Sequence, residues 1–546
     1  MVGNSVLLSR LCGLLDSLYK FEIKKTAKYI IWGLYAVLLA AVSYFHEPWF
    51  DEAQAWQIAK SASLYELFFV VPHYEGHPPL WHLVLFPFVK GGMPYEFSLS
   101  FVNIAFMAAG SFLIMFKTKL PDAAKITLSF TYFLFYQYGV ISRPYSMMFL
   151  AFMLCAVNYR EKNEKPVRMA LSLAFMCLTS AYGLAIAGLI CVVWLLEFKS
   201  KKSFGAFVKE LVKSRVFVCM AGLLVLAVLL VVMMLPYPDT YAVSGGRDAG
   251  VIAGNLFYTY LILPADATIG TALTNDDNLF EYNSVQLSNL VFVILSAVVY
   301  LWMWIMAKKK GKLLLLLPFA VMPALYGVVF FGGHHIGITT LNLIFFASVC
   351  SDSETVCEFR KYGSMAHYFT IAGAAVFAAV QIFWSASSAV MEINRCYASG
   401  KAMAEFIKEN NIQYGYLLNN VEISKEKDGS YFHHINFSYT AVETLAYFDE
   451  NIYDAFNRGD DRLMYNTHRT LRGEAYDDEY EYIKSVGIPD YVIGAPTFGD
   501  SYGEYMDYLY EDYRLVSVGD FEYGKIFKGQ SITAYDIIYR VEEIPD

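Results

Sequence analysis

Eleven long apolar runs recur along the chain, at about 27–45, 96–116, 124–141, 143–159, 167–182, 184–198, 216–235, 287–307, 313–331, 335–350 and 366–388. A helix needs about 20 apolar residues to cross the hydrocarbon layer of a bilayer, so each run is expected to be a transmembrane helix. The series rules out an ordinary soluble fold, because 56% of the 546 residues are hydrophobic and only 17% are charged, where soluble domains carry about 25% charged residues. The fold class expected is a polytopic α-helical membrane protein of about 11 spans plus interfacial helices. The run at 79–89, PLWHLVLFPFV, is too short to span and carries Pro87; it reads as an interfacial or re-entrant helix.

Positive charge orients the spans, because short loops rich in Lys and Arg stay cytosolic. With 79–89 left out, Lys24 and Lys25 share one side with Lys117, Lys119 and Lys125, the basic loops at 160–168, 199–215 and 308–312, and Arg360 and Lys361. Counting 79–89 as a crossing would put Lys24 and Lys25 opposite every later cluster. The outer face then receives the loop 46–95, the corner at 141–143, the turn near 183, the long loop 236–286, the corner at 332–335 and everything after about 389. The chain is thus expected to be a multi-pass protein of the plasma membrane, its N-terminus cytosolic and the lipid bilayer its first partner.

Three regions follow. Residues 1–26 place Val6, Leu7, Leu11, Leu14, Leu15, Leu18 and Phe21 at helical spacing ahead of a basic cluster, as in an amphipathic helix on the cytosolic surface; a signal peptide would carry its basic residues first. Residues 27–390 form the membrane domain. Residues 391–546 lose the long apolar runs and read as a soluble extracytoplasmic α/β or α+β domain: a helix at 399–410 with Ser399 as its N-cap, a strand at 413–418, a helix, turn and strand over 481–495, and a half-buried strand at 535–541. Split after Arg395, the chain carries +6 before and −15 after. An acidic domain without a basic patch argues against nucleic acid as a partner. The eight cysteines form no CxxC or Cys/His zinc spacing, so neither a structural disulfide nor a cysteine metal site is expected.

The chemistry-bearing residues gather in the outer loops. Asp51 and Glu52 open the first of these; a carboxylate pair at a membrane surface can act as a general base toward a hydroxyl or bind a divalent cation, and Asp51 also reads as the N-cap of a helix at 52–62. Glu75 and His77 precede Pro78 and Pro79, which fix the geometry of a helix start and would hold His77 near Asp51, or else simply cap a turn. Arg143, followed by Pro144 and Tyr145, stands at the mouth of a span, where its planar donors suit a phosphate and a snorkelling role is the alternative. His334 and His335 stand at another mouth between glycines; adjacent side chains on an α-helix diverge by about 100°, so the pair is a poor ligand set for one metal ion. In the long loop Asp239, Arg247, Asp248, Asp276 and Asp277 are further candidates beside the plainer reading of solvated loop charges. No metal site is assigned; a divalent cation is kept open as the one cofactor.

Asp51-Glu52 just after the first span, His77-Pro78-Pro79-Leu80, Arg143-Pro144-Tyr145 and His335-x-Gly337 together resemble the GT-C superfamily of polytopic glycosyltransferases, especially the protein O-mannosyltransferase and lipid A aminoarabinose transferase group of the family 39 type. The resemblance spans about residues 27–350. It implies an inverting glycosyltransferase of the hexosyl or mannosyl type that moves a sugar from a polyprenyl-phosphate donor to an extracytoplasmic glycan, lipid or protein acceptor. Asp51 would be the base with Glu52 beside it; Glu75, His77, Arg143, Tyr145, His334, His335 and Arg247 would bind substrate. The chain departs from the pattern at Glu96-Phe97-Ser98, where an Arg is common, at Ala181-Tyr182 in place of His-Tyr, and at His334, where an Arg often precedes His-x-Gly. A lipid or solute transporter (a flippase) would instead predict internal repeats and polar residues at mid-bilayer. A non-catalytic membrane scaffold with an acidic ectodomain is the third reading, and residues alone do not separate it.

Overall fold

The structure, a computed structural model, describes residues 2–199, 203–240, 249–272, 287–357, 363–412, 417–419, 421–425, 431–437, 439–456, 470–471, 474–494 and 512–545. The chain is mostly helical. Among the described residues seven helices are long and apolar enough to cross a membrane: Lys25–Ser43, Tyr95–Lys117, Ala181–Lys199, Arg215–Met233, Asn289–Lys309, Gly333–Ser351 and Gly363–Asn394. The remaining apolar runs are helical but short or broken. Tyr145–Asn158 and Pro166–Cys177 have 14 and 12 residues, Leu313–Val328 begins as a 3-10 turn, and the run at 124–141 divides into an α-helix, Asp122–Ser129, and a π-turn, Phe133–Gln137. This last run does not need to be one straight span. Tyr132 to Gln137 are buried in protein, and irregular backbone is tolerated at membrane depth when protein, not lipid, surrounds it.

Burial sorts the long helices. Gly333–Ser351 is central, with 83% of its window buried, whereas Arg215–Met233 has 17% and leaves Val218, Leu224, Val225 and Leu229 more than half exposed. An apolar face of that size would be a liability in water and suits contact with lipid tails. The N-terminal helix, Val2–Tyr19, likewise exposes Leu11, Leu14 and Leu18. At one end of the bundle the basic loops meet one another: Lys28 and Lys125 share Asp122 at 2.6 and 3.2 Å, and Lys162 and Lys312 share Glu197 at 2.7 and 3.1 Å. The first loop, the corner near 142, the 334–335 turn and the C-terminal region meet at the other end.

The C-terminal region carries a mixed four-stranded sheet in the order Leu417–Asn419, Tyr491–Gly494, Gln530–Glu543, Tyr513–Phe527, the first pair parallel and the others antiparallel. Gly400–Glu409 forms the expected helix with Ser399 at its N-cap position, but the Ser399 hydroxyl accepts from no helix amide; it donates to Asp536 Oδ2 at 2.5 Å. Of the strand expected at 413–418, residues 413–416 lie outside the described residues.

The last two strands form a long hairpin that reaches into the helical bundle. It turns at Lys528 and Gly529 with φ of 49° and 73°, the left-handed pair that a tight hairpin turn requires. A side chain at 529 would also bring a Cβ within 2.8 Å of Ser387. Lys528 is fully buried and its Nζ reaches Asp266 Oδ1 at 2.5 Å, the Asp266 carbonyl at 2.7 Å and the Gly270 carbonyl at 2.9 Å. Three acceptors for three ammonium protons satisfy the group completely. Phe527 packs edge-on to Tyr132, with centroids 5.8 Å apart. The hairpin tip therefore belongs to the core of the bundle.

Candidate active site

After the span Lys25–Ser43 the chain turns through His46 and Trp49 into the helix Phe50–Ser61. Trp49, not Asp51, is the N-cap; Asp51 stands one residue inside the first turn and pairs with Arg143 Nη2 at 2.7 Å. Glu52 reaches back, and its Oε2 accepts from the Trp49 amide at 3.2 Å. The carboxyl of Glu443, from the helix Tyr439–Leu445 of the C-terminal domain, accepts from the Phe50 amide at 2.7 Å. Orphan donors at the helix start are thus satisfied by a carboxylate from each domain.

Asp51 and Glu52 face different surroundings. The Asp51 side chain keeps 23% exposure, whereas Glu52 has none. Glu52 also accepts from the Ser142 amide at 2.6 Å and from His46 Nε2 at 2.9 Å, while His46 Nδ1 meets Glu392 Oε1 at 2.9 Å. With a carboxylate at each ring nitrogen, both nitrogens must donate, so His46 is an imidazolium. Burial alone would lower its pKa, yet Glu52 and Glu392 raise it well above the usual imidazole value. Tyr136 donates to the other oxygen of Glu392. This buried network ties the first loop, the 142 corner and the end of the long helix Gly363–Asn394 together, and it places Glu52 as a brace beneath Asp51.

The corner that carries Arg143 is held from inside. Asn103 Nδ2 donates to the carbonyls of Tyr138 and Gly139 at 3.0 and 2.8 Å. Arg143 then lies against two rings, its Cζ 5.1 Å from the Tyr145 centroid and 6.0 Å from that of Trp49. Tyr145 stacks on Tyr138 at 4.7 Å.

The structure corrects the expectation of divergent histidines. Gly333–His335 is a 3-10 turn, and the two rings lie 4.0 Å apart. His335 Nδ1 accepts from the Gly332 amide at 2.9 Å, so neutral His335 carries its proton on Nε2. Gly337 permits this corner: a Cβ there would come within 2.6 Å of Phe133 and Tyr138. His77 and Arg143 lie within electrostatic reach of both histidines. Glu75 accepts from Gln54 Nε2 at 3.0 Å, about one turn along the Phe50–Ser61 helix from Asp51. Asp239 accepts from the Tyr74 hydroxyl at 3.1 Å, docking the beginning of the long loop onto the first. Arg247, Asp248, Asp276 and Asp277 lie outside the described residues. Among the described residues no group of three or more His, Cys, Asp and Glu side chains is arranged to hold a metal ion.

No family model and no curated protein matches the chain. Sequence reasoning missed Trp49, His46, Glu392 and Glu443, which gather around the start of the Asp51 helix. A signal existed for two of them: His46 sits between an apolar run and the acidic pair, and Glu392 is a lone carboxylate at the end of a span. For Glu443 nothing local marks a role.

One pH effect arises from this loop. Burial pushes the Glu47 carboxyl from the ordinary 4.5 to about 7, with Lys401 opposing and Glu96 adding to the shift. Between those values the folded chain holds a proton that the unfolded chain has lost, so stability falls as pH rises through that window. Glu47→Gln is expected to flatten the dependence of melting temperature on pH from 4.5 to about 7; an unchanged slope in thermal melts of the detergent-solubilised variant would assign it to another group.

Proposed function

We propose that the chain is an inverting glycosyltransferase of the plasma membrane that moves a sugar from a polyprenyl phosphate to an acceptor hydroxyl at the outer face. The observation that carries this reading is the setting of Asp51: a half-open carboxylate 2.7 Å from a guanidinium, with both histidines of the 334–335 turn within electrostatic reach of that guanidinium. Phosphate-terminated lipids need a cationic, aromatic pocket at the membrane surface, and sugars need carboxylates and rings. The meeting of the basic loops at the opposite end of the bundle supports an outer location for the site.

In the proposed reaction Asp51 accepts the proton of the acceptor hydroxyl as its oxygen attacks the anomeric carbon. The bond from that carbon to the phosphate oxygen breaks, and its electron pair leaves with the phosphate, through an oxocarbenium-like transition state. Arg143 pairs with the departing phosphate, which draws it from Asp51 and leaves the base to the hydroxyl. His77, His334 and His335 add hydrogen bonds around that anion, and Glu52 holds the Asp51 helix in register through His46. The finer membrane topology of eleven crossings with an extracytoplasmic C-terminal domain belongs to the same proposal. Incubating the purified protein with polyprenyl-phosphate sugars and an acceptor extract should release polyprenyl phosphate. Transport of the intact lipid without cleavage would overturn the reading.

A further inference from the structure

The hairpin that plugs the bundle also carries a cation into the site. Lys525 stands three residues before the turn, half-buried, with its Nζ 4.9 Å from the centroid of Trp49. Trp49 is the ring that Arg143 approaches at 6.0 Å. Two cations from different domains therefore share one ring at the start of the Asp51 helix, and Lys525 also lies within electrostatic reach of His334, Glu443 and Asp536. Two other cations of this acidic domain, Arg514 and Arg540, pair with Glu542 on the surface, away from the site.

We propose that Lys525 is a substrate-contacting cation which, with Arg143, receives the phosphate of a lipid-borne ligand beside Trp49, so that the C-terminal domain supplies part of the site. The inference rests on the proposed function for the identity of the ligand and extends it to a residue that no motif marks. Arg143 rests on Asp51 at 2.7 Å; a phosphate that draws the guanidinium away from that carboxylate at this ring is within reach of the Lys525 ammonium as well. The alignment is built in. Lys528 is bound to Asp266 and the Gly529 amide donates to Ser388 Oγ at 2.9 Å, so the strand bearing Lys525 is anchored three and four residues further on. Lys528 is accordingly a positioning residue, and Lys525 the group that touches ligand. The simpler role for Lys525, a counter-charge to Glu443 and Asp536, would alter stability without regard to what is bound.

The test uses the full chain in detergent with three probes: a sugar-free long-chain polyprenyl monophosphate, the corresponding polyprenol, and inorganic phosphate. Lys525→Ala and Lys525→Gln are expected to weaken polyprenyl phosphate binding by about tenfold to a hundredfold, the loss of one charge-assisted contact, with polyprenol binding unchanged and Lys525→Arg restoring most of the affinity. The Gln variant keeps the stem, so the comparison stands even if the Ala variant fails to fold. Wild-type affinity in the Gln variant, or an equal loss for polyprenol, overturns the proposal, and inorganic phosphate binding as tightly as the lipid overturns the lipid-borne source. Lys525-dependent binding in a protein that transfers no sugar would sink the glycosyltransferase reading and leave this one standing; sugar transfer with an unchanged KM in the Gln variant would do the reverse.

Discussion

Asp51→Asn is expected to abolish sugar transfer, lowering kcat by at least about 10³-fold, near the upper part of what a positioned general base contributes. Asparagine keeps the shape of the side chain and an oxygen for Arg143, so the protein should still fold and bind donor. What it lacks is a lone pair basic enough to take the acceptor proton. The ion pair with Arg143 is mostly buried, with side-chain exposures of 13% and 23%, so removing the charge of Asp51 leaves the guanidinium short of a counter-charge and should lower the melting temperature; activity is therefore compared at a temperature where both proteins are folded. Donor KM is expected to stay within a few-fold, because the phosphate contacts assigned to Arg143 and the histidines remain. Turnover at the wild-type rate in Asp51→Asn would remove Asp51 from the chemistry and take the proposed mechanism with it.

The largest expected loss of stability follows Lys528→Met. Both members of the Lys528–Asp266 pair are fully buried, and breaking such a pair from one side strands the other charge in a medium that cannot solvate it, at a cost of about 3–5 kcal/mol. Asp266 would keep the Tyr258 hydroxyl at 2.5 Å and the Ala272 amide at 2.9 Å, neither of which neutralises it. The double variant Lys528→Met, Asp266→Asn removes both charges; its amide oxygen accepts from the Ala272 amide while its NH2 donates to the Tyr258 hydroxyl, turned to accept, so most of the loss should return. Melting curves of the two variants in detergent check this. If Lys528→Met melts with the wild type, the hairpin does not hold the domains together.

The same hairpin shows why part of the molecule was hidden. YDIIYRV alternates, and its strand is found where alternation put it, within Gln530–Glu543. Nothing in the segment FEYGKIFKGQ indicates that its turn seats in a helical bundle, because that contact is made with Asp266, in a distant part of the chain. The shape of several apolar runs was hidden for a related reason. Apolarity marks burial from water, and the runs at 124–141, 143–159 and 167–182 are buried largely against protein, where short and broken helices serve as well as straight ones. The 334–335 pair was read on α-helical geometry, and the 3-10 turn with its glycines brings the rings together instead.

By itself the sequence determined the class of the chain, the polar island after the first span and the residues that crowd it, since hydropathy and charge act locally and leave a one-dimensional record. Which of the two adjacent carboxylates faces inward was decided only in three dimensions. Asp51 and Glu52 stand about 100° apart on one helix turn, so one had to face inward. The tertiary structure chose Glu52, because His46, Ser142 and Glu392 converge beneath the helix from three separate parts of the chain, leaving Asp51 to face Arg143.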